Sequence, residues 1–203
     1  MSLVSVSNLK EYLPEIQGSS LDADLSSLIS RVESFVARYL GFPLADGNTS
    51  YTLDQATYTV YADNPMYELS YVLQLPIKPV VSLTSIHSDV DREYGSTTSI
   101  DLSKTTTDKE NGRVILNDDS PDTFDTGYRA NKIVGSFGFS TSSPPHDLVH
   151  ALCVYCAHLQ RAKNSQGNNS ITQRNSTVSL SPRTMPIEVK EILRGYRNVS
   201  VII

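Results

Sequence analysis

The apolar residues of this chain change their spacing twice, and this change constrains the fold more than any single motif does. Between residues 20 and 41 they recur every three or four positions: Leu21, Leu25, Leu28, Ile29, Val32, Phe35, Val36, Tyr39 and Leu40. This spacing is typical of an amphipathic helix. Asp22 and Asp24 lie near its start and Gly41 lies at its end, as helix boundaries favour. A shorter helix, SNLKEYL, is predicted before it, with Ser7 as its cap.

Between residues 50 and 140 the period falls to two, which is typical of strands with one buried face. In ELSYVLQL, residues 68–75, every second residue is a leucine or a tyrosine. Further short runs of β-branched or aromatic residues are TYTVYA, VVSLTSIHS, TTSIDL, RVILND and NKIVGSFGF. Asn111-Gly112, directly before RVIL, predicts a hairpin turn. We therefore expect a compact β-rich unit over residues 50–140.

Helical spacing returns at PPHDLVHALCVYCAHLQRAK. Pro144 and Pro145 suit the start of this helix, because the first amides of a helix have no partner within it. The polar segment 164–184 is predicted to be a linker, or a segment that only a partner orders. A last short helix, PIEVKEILRGYRN, precedes the apolar segment VSVII.

Together these segments predict an α+β fold with a helical core, an inserted β-rich domain and a C-terminal helical arm. The helical core combines the N-terminal helical part, residues 1–49, with the central helix, residues 141–164. The β-rich domain covers residues 50–140, and the arm covers residues 165–203. A net charge of −5 argues against a surface built to bind nucleic acid, which needs clustered lysine and arginine.

The stretch HDLVHALCVYCAH, residues 146–158, holds three of the four histidines and both cysteines. On a helix, His146, His150 and Cys153 share one face, opposite a face rich in leucine. Positions 146 to 156 span about 15 Å of helix axis, so one straight helix cannot close four ligands around a single zinc ion. We interpret the stretch as a helix buried on two sides and assign it no metal. The alternative is a small metalloprotein or hydrolase that uses these three residues, including through a metal shared across a subunit contact.

Two acidic segments resemble ion sites without meeting their requirements. DVDREYG, residues 89–95, has acids at alternate positions, as a calcium loop has. However, Tyr94 stands where such a loop needs glycine, and Ile100 stands where it needs a bidentate glutamate. The cluster NDDSPDTFD, residues 117–125, is typical of a solvated turn. The sequence contains no P-loop, HExxH or GxSxG motif, so no cofactor and no catalytic residue is predicted.

The last helix carries an apolar stripe with basic residues along its flank. The stripe consists of Val189, Ile192, Leu193 and Tyr196, and the basic residues are Lys190, Arg194 and Arg197. An isolated helix this short is marginal in water. We therefore predict that it docks on a partner, the other possibility being that it folds back onto its own domain. The partner contact is assigned to these seven residues together with Val201, Ile202 and Ile203.

The order of the segments resembles the head-tail connector, or adaptor, proteins of tailed bacteriophages. NLKEYL followed by LISRVESFVARYLGFPL resembles the two N-terminal helices of that family, and LQLPIKPVVSLTSIHSD resembles its β segment. FDTGYRANKIVGSFGFSTSSPPHDLVHA and MPIEVKEILRGYR resemble the later segments. One departure is Phe137, which stands where the family has a tyrosine.

The resemblance implies a structural protein without catalysis or cofactor. It implies a ring of copies, dodecameric in the virion, around a central channel through which DNA passes. It also implies that the last helix contacts the portal protein of the capsid, and that a downstream tail or stopper protein binds the ring. The implied location is the neck of the virion, after assembly in the host cytoplasm, with no membrane partner.

Overall fold

A computed structural model describes residues 2–64, 71–163, 170–173, 176–179 and 185–198, which combine helices with antiparallel sheets. The helices are α1 Val6–Glu11, α2 Asp22–Tyr39, α3 His146–Ala162 and α4 Ile187–Tyr196. The strands are β1 Ala56–Asn64, β2 Val72–Gln74, β3 Val80–Ser88, β4 Thr105–Asp108, β5 Arg113–Leu116, β6 Gly127–Phe137, β7 Ser170–Gln173 and β8 Ser176–Ser179. The predicted α+β class is confirmed.

Local chemistry sets the ends of the two N-terminal helices. Ser5 caps α1 instead of the predicted Ser7, which already lies in the first turn. The Ser5 hydroxyl accepts a hydrogen bond from the Asn8 amide at 3.1 Å, and Asn8 Oδ1 accepts one from the Ser5 amide at 3.2 Å. This reciprocal pair satisfies two amides at once. Helix α2 has the predicted extent, with Asp22 in its first turn and Gly41 beyond its end at φ +86°, where glycine is unstrained.

The larger sheet has the strand order β1-β6-β3, with antiparallel pairing throughout. Its inner face sets Val60, Ile133 and Ile86 side by side, and all three are buried. Gly135 allows β3 to approach β6, because a Cβ at this position would lie 2.7 Å from the Ser82 carbonyl oxygen. The strands predicted for TYTVYA, VVSLTSIHS and NKIVGSFGF are confirmed.

The smaller sheet has the antiparallel order β2-β5-β4. The predicted hairpin is confirmed, since Asn111-Gly112 lies in the β4–β5 turn with Gly112 at φ +67°. The strand predicted for TTSIDL is wrong. The Asp101 side chain accepts a hydrogen bond from the Ser103 amide at 2.9 Å and starts a 3-10 turn instead. Strand β4 was not predicted, because its sequence TTTD has no apolar alternation.

Two further segments differ from their predictions. The strand predicted over residues 68–75 is reduced to Val72–Gln74, and residues 65–70 lie outside the described ranges. The segment predicted as a linker, or as ordered only by a partner, contains the antiparallel hairpin β7–β8, which the sequence analysis did not predict. The central residues of the hairpin are β-branched, which favours strands: Ile171, Thr172, Thr177 and Val178.

One continuous cluster of buried apolar side chains connects the helices to both sheets. It includes Leu25 of α2, Tyr58 of β1, Val114 of β5, Leu148 of α3 and Leu193 of α4, all fully buried. Because this core is shared, the division into a helical core and an inserted domain stays a prediction from the sequence. None of the described helices is both long enough and apolar enough to cross a bilayer.

Candidate partner interface

Helix α3, which carries the cluster of histidines and cysteines, is buried on two sides, as predicted. Leu148 and Tyr155 are buried there, and so are Cys153 and Cys156. Burial raises the pKa of both thiols to about 12. A thiol with this pKa stays protonated near neutral pH, whereas the thiolate is the form that attacks substrates and binds metals. The two cysteines therefore act as small apolar residues of the core.

The histidines of the alternative metal site are engaged elsewhere or exposed. His150 Nδ1 lies 2.9 Å from the Tyr12 hydroxyl at the end of α1, and His150 Nε2 lies 3.4 Å from a Glu188 carboxylate oxygen on α4. His146 is exposed at the start of α3, while Cys153 is buried. Within the described ranges, no group of three or more His, Cys, Asp or Glu side chains could hold a metal ion. The three residues of the alternative are therefore not brought together as ligands.

The loop that resembles a calcium site is closed by its own backbone. Asp89 is buried, and its carboxylate accepts hydrogen bonds from the amides of Asp91, Glu93 and Tyr94 at 2.8 to 3.0 Å. These bonds, led by the one from Tyr94, lower the pKa of Asp89. The carboxylate that would begin a calcium site thus shapes a turn.

Helix α4 packs on α3 and reaches the end of the larger sheet. Val189 and Leu193 are fully buried beneath it. The Tyr196 hydroxyl donates a hydrogen bond to Asp147 of α3, and the Tyr196 ring meets the edge of Phe139 with the centroids 5.5 Å apart. Burial, reinforced by the Asp147 carboxylate, raises the pKa of Tyr196 well above its ordinary value. Of the two possibilities left open by the sequence, α4 therefore has the folded-back arrangement.

The chain beyond α4 is fixed at Asn198, which is buried. Its backbone amide donates to the Leu40 carbonyl at 2.8 Å, and its Oδ1 atom accepts a hydrogen bond from the Lys78 amide at 2.9 Å. Leu40 follows α2 and Lys78 precedes β3, so this one residue connects the helices to the larger sheet. No local sequence pattern indicates this role, because the partners of an asparagine amide depend on the tertiary fold.

Only some of the residues predicted to contact a partner are exposed on α4. Val189 and Leu193 are used within the chain, because the nearest apolar surface to a short amphipathic helix is its own core. Lys190, Arg194 and Arg197 are exposed, and Ile192 and Tyr196 are partly buried. Val201, Ile202 and Ile203 lie outside the described ranges. The structure adds Ile187, which is 78% exposed at the start of α4.

A second surface lies between α2 and α3, where an aromatic side chain is left partly uncovered. Phe35, predicted as part of the buried stripe of α2, is 50% exposed, and its ring lies 6.0 Å from the Tyr155 ring. A groove of about 220 Å³ beside them is also lined by Leu28, Val32 and Leu159. Exposed aromatic residues over an apolar groove are typical of protein–protein contacts.

Comparison with known proteins identifies the family and the fold. The family model described as "HCP: Head completion protein" matches residues 2–199. No curated protein sequence matches the chain. A chain from the neck of an empty gene transfer agent particle, computed with C6 symmetry, has a TM-score of 0.56 and 19% identity, covering 97% of this chain and 90% of that chain. A chain from the native particle's neck, computed with C12 symmetry, has a TM-score of 0.49 and 18% identity, covering 96% and 90%. The first likeness shows a shared fold.

Proposed function

The chain belongs to the head completion protein family, and from this premise we propose that it joins capsid to tail as a structural protein of a phage-like particle. The observation that carries the proposal is the family match over residues 2–199. The fold shared with a chain of a gene transfer agent neck supports it. The role is structural, and its place is the neck of the virion.

In this role the protein forms a ring of copies beneath the portal. The solved neck with the similar chain was computed with sixfold symmetry, which supports a ring here as well. The groove of Phe35 and Tyr155 supplies an apolar contact for a neighbouring copy. A head-to-tail contact between copies closes into a ring when its rotation divides a full turn evenly. Twelve copies is the number that the resemblance to connector proteins implies.

The exposed side of α4 is the proposed contact with the portal protein. Ile187 offers an apolar side chain there, and Lys190 and Arg194 offer positive charge in a chain whose net charge is −5. Arg197 and the segment Val201–Ile203 are proposed to extend this contact. A downstream tail or stopper protein would bind the other end of the ring.

DNA passes through the ring without sequence-specific binding. The supporting observation is the net charge of −5, because a net negative charge repels the phosphate backbone. The retention of DNA on a column carrying the assembled ring, at physiological salt, measures this property.

The portal contact is tested by reversing the two charges on α4. Lys190→Glu combined with Arg194→Glu should weaken binding to the portal oligomer about tenfold or more, because charge complementarity is lost on an exposed face. Both residues are exposed, so the fold should be unchanged. Binding is measured by interferometry with immobilised portal, and folding by circular dichroism.

Lys109→Glu is the control for one charge reversal away from α4, because Lys109 is an exposed lysine in the β4–β5 turn. It should bind portal as the unchanged protein does. If Lys109→Glu alone cost about half the binding free energy that the α4 variant costs, only net charge would matter, because it reverses one charge instead of two. Undiminished binding by the α4 variant would refute this contact.

The ring contact is tested separately at Phe35. Phe35→Ser removes the exposed ring and should reduce ring formation on the portal, counted by negative-stain imaging, while binding of single copies through α4 persists. Rings of normal number and occupancy in this variant would exclude the α2–α3 groove as the subunit contact.

A further inference from the structure

Strand β1 forms an open edge of the larger sheet, since the strand order is β1-β6-β3. The Thr57 carbonyl accepts a hydrogen bond from the Asp46 amide at 2.9 Å, which shows that the backbone groups of the odd-numbered residues face this edge. Next along the edge come Thr59 and Tyr61. Their outward amides and carbonyls receive no backbone partner from the described ranges. An edge of this kind is a template for another strand.

A groove of about 410 Å³ runs along the same edge. Its strand side includes Thr59, Tyr61 and Asp63, and its other lining residues include Pro43 and Ile77. Pro43 and Pro76 present carbon atoms beside the free backbone groups of β1, and Asp63 and Arg129 line the groove with charged side chains. The open edge therefore suits an extended segment that makes backbone hydrogen bonds and packs apolar side chains on the two prolines.

The chain has such a segment directly after Asn198, and Asn198 lies beside the groove. Asn198 is held by its bonds to Leu40 and Lys78, and a Cβ placed on Gly41 would lie 3.5 Å from the Asn198 Cβ atom. Gly41 and Ile77 are both lining residues of the groove. The residues that follow Asn198 therefore start within a few ångströms of it.

We infer that residues 199–203, VSVII, dock in this groove as an additional strand on the open edge of β1 of their own subunit. Four of the five residues are β-branched and none is charged, which favours a strand over an apolar groove. From the first to the last of five extended residues there are four steps, or about 13 Å, and Thr59 to Asp63 is also four steps, so the lengths agree. The anchor at Asn198 favours the same subunit over a neighbour.

The inference goes beyond the proposed function, because it concerns the free subunit and holds whether or not α4 contacts a portal. It also gives that contact a consequence. If Val201–Ile203 join the portal contact, these residues must leave the groove beside β1 when the subunit binds the portal. Binding then exposes the β1 edge.

A thiol crosslink tests the docking in the intact chain. Thr59→Cys with Val201→Cys, treated with a short bifunctional thiol reagent, should give a crosslink within one subunit, identified by peptide mass spectrometry. Thr106→Cys with Val201→Cys is the control, because Thr106 is exposed on the outer face of the other sheet, and it should give none. The native cysteines are buried and do not compete. Equal crosslinking in both pairs, crosslinks only between subunits, or none at all would overturn the inference.

Hydrogen exchange supplies a second readout that needs no reagent. In the intact chain, the amides of Thr59 and Tyr61 should exchange roughly tenfold or more slowly than in a chain ending at Asn198, because a docked strand protects them. The Thr106 amide should be unchanged by the truncation. Identical exchange at Thr59 and Tyr61 in both chains would overturn the docking, and neither result depends on portal binding.

Discussion

Helices α3 and α4 both carry residue types associated with function, yet they use them in opposite ways. In α3 the reactive types lie inside, where Cys153 and Cys156 pack as small apolar groups. In α4 the apolar stripe lies inside and the charged residues Lys190 and Arg194 remain on the surface. The difference teaches that burial decides what a side chain can do: a buried thiol loses its chemistry, while an exposed basic residue keeps its charge for a partner.

The two helices are alike in having buried leucines, and we expect the largest loss of unfolding free energy from substitutions at these residues. Leu152→Ala in α3 and Leu193→Ala in α4 should each lower the free energy of unfolding by about 2–5 kcal/mol, because each leaves a cavity in the shared core. Urea denaturation measures both. Ile187→Ala, at a residue 78% exposed, should stay within about 0.5 kcal/mol. A similarly small change for Leu193→Ala would show that α4 is a free arm after all.

The second prediction concerns the thiols of α3. With the pKa raised from 9.0 to about 12, native Cys153 and Cys156 hold about a thousandfold less thiolate at pH 8 than the unfolded chain. A thiol reagent should therefore label them far more slowly in native protein than in urea, because burial lowers the thiolate fraction and also blocks the reagent. An exposed thiol introduced by Thr106→Cys should react rapidly in the same sample. Fast native labelling of Cys153 would restore the reactive interpretation of the helix.

The same pKa values set a pH dependence. The pKa of each thiol is higher in the folded protein than in the unfolded chain. Below about pH 9 the buried thiols therefore make their full contribution to the free energy of unfolding, and this contribution is lost as the pH rises towards 12. The double variant Cys153→Ala with Cys156→Ala should therefore lose less of its free energy of unfolding between pH 9 and 12. If the free energy of unfolding of this variant fell with pH as steeply as that of the unchanged protein, the raised thiol pKa values would be contradicted.

The smallest effect is expected at the hydrogen bond that joins the two helices. Tyr196→Phe removes the donor to Asp147 and should cost about 1 kcal/mol of unfolding free energy. Combining it with Asp147→Ala should cost little more than the larger single change, because both remove one interaction. Tyr128→Phe, at a residue 68% exposed, is the matched control and should be neutral. Additive losses would show that the two groups act independently.

Much of the fold follows from periodicity, because burial on one face repeats along the chain. The spacing of apolar residues predicted α2, α3, α4 and the strands of the larger sheet. It missed β4, whose threonines alternate in no apolar pattern, and it gave a strand at TTSIDL, where Asp101 bonds to its own backbone neighbour. The spacing of apolar residues predicts which face of a helix or strand is buried. It does not predict where a polar side chain forms a hydrogen bond with the backbone and so prevents a strand.

The candidate interface was predicted less well than the fold. The basic residues predicted along the flank of the last helix are exposed, but their contact with a partner stays a prediction. Phe35 was expected inside, and Ile187 was not considered. A helical pattern shows which residues share a face, but the width of the buried part depends on the neighbouring elements. The open edge of β1 was not predicted either. The position of a strand within a sheet depends on its pairing with distant segments, which the sequence of the strand alone does not show.

The sequence by itself determined the α+β class, the amphipathic helices, the hairpin at Asn111-Gly112 and the resemblance to connector proteins, because each depends on residues close together in the chain. Only the tertiary structure decided that α4 folds back, that Asn198 ties Leu40 to Lys78, and that Glu33 is buried. The Glu33 carboxylate accepts hydrogen bonds from Ser2 and from the amides of Leu3 and Val4. Burial raises its pKa even so. Such contacts join residues about 30 to 160 positions apart, and no local pattern encodes which distant partner removes a side chain from water.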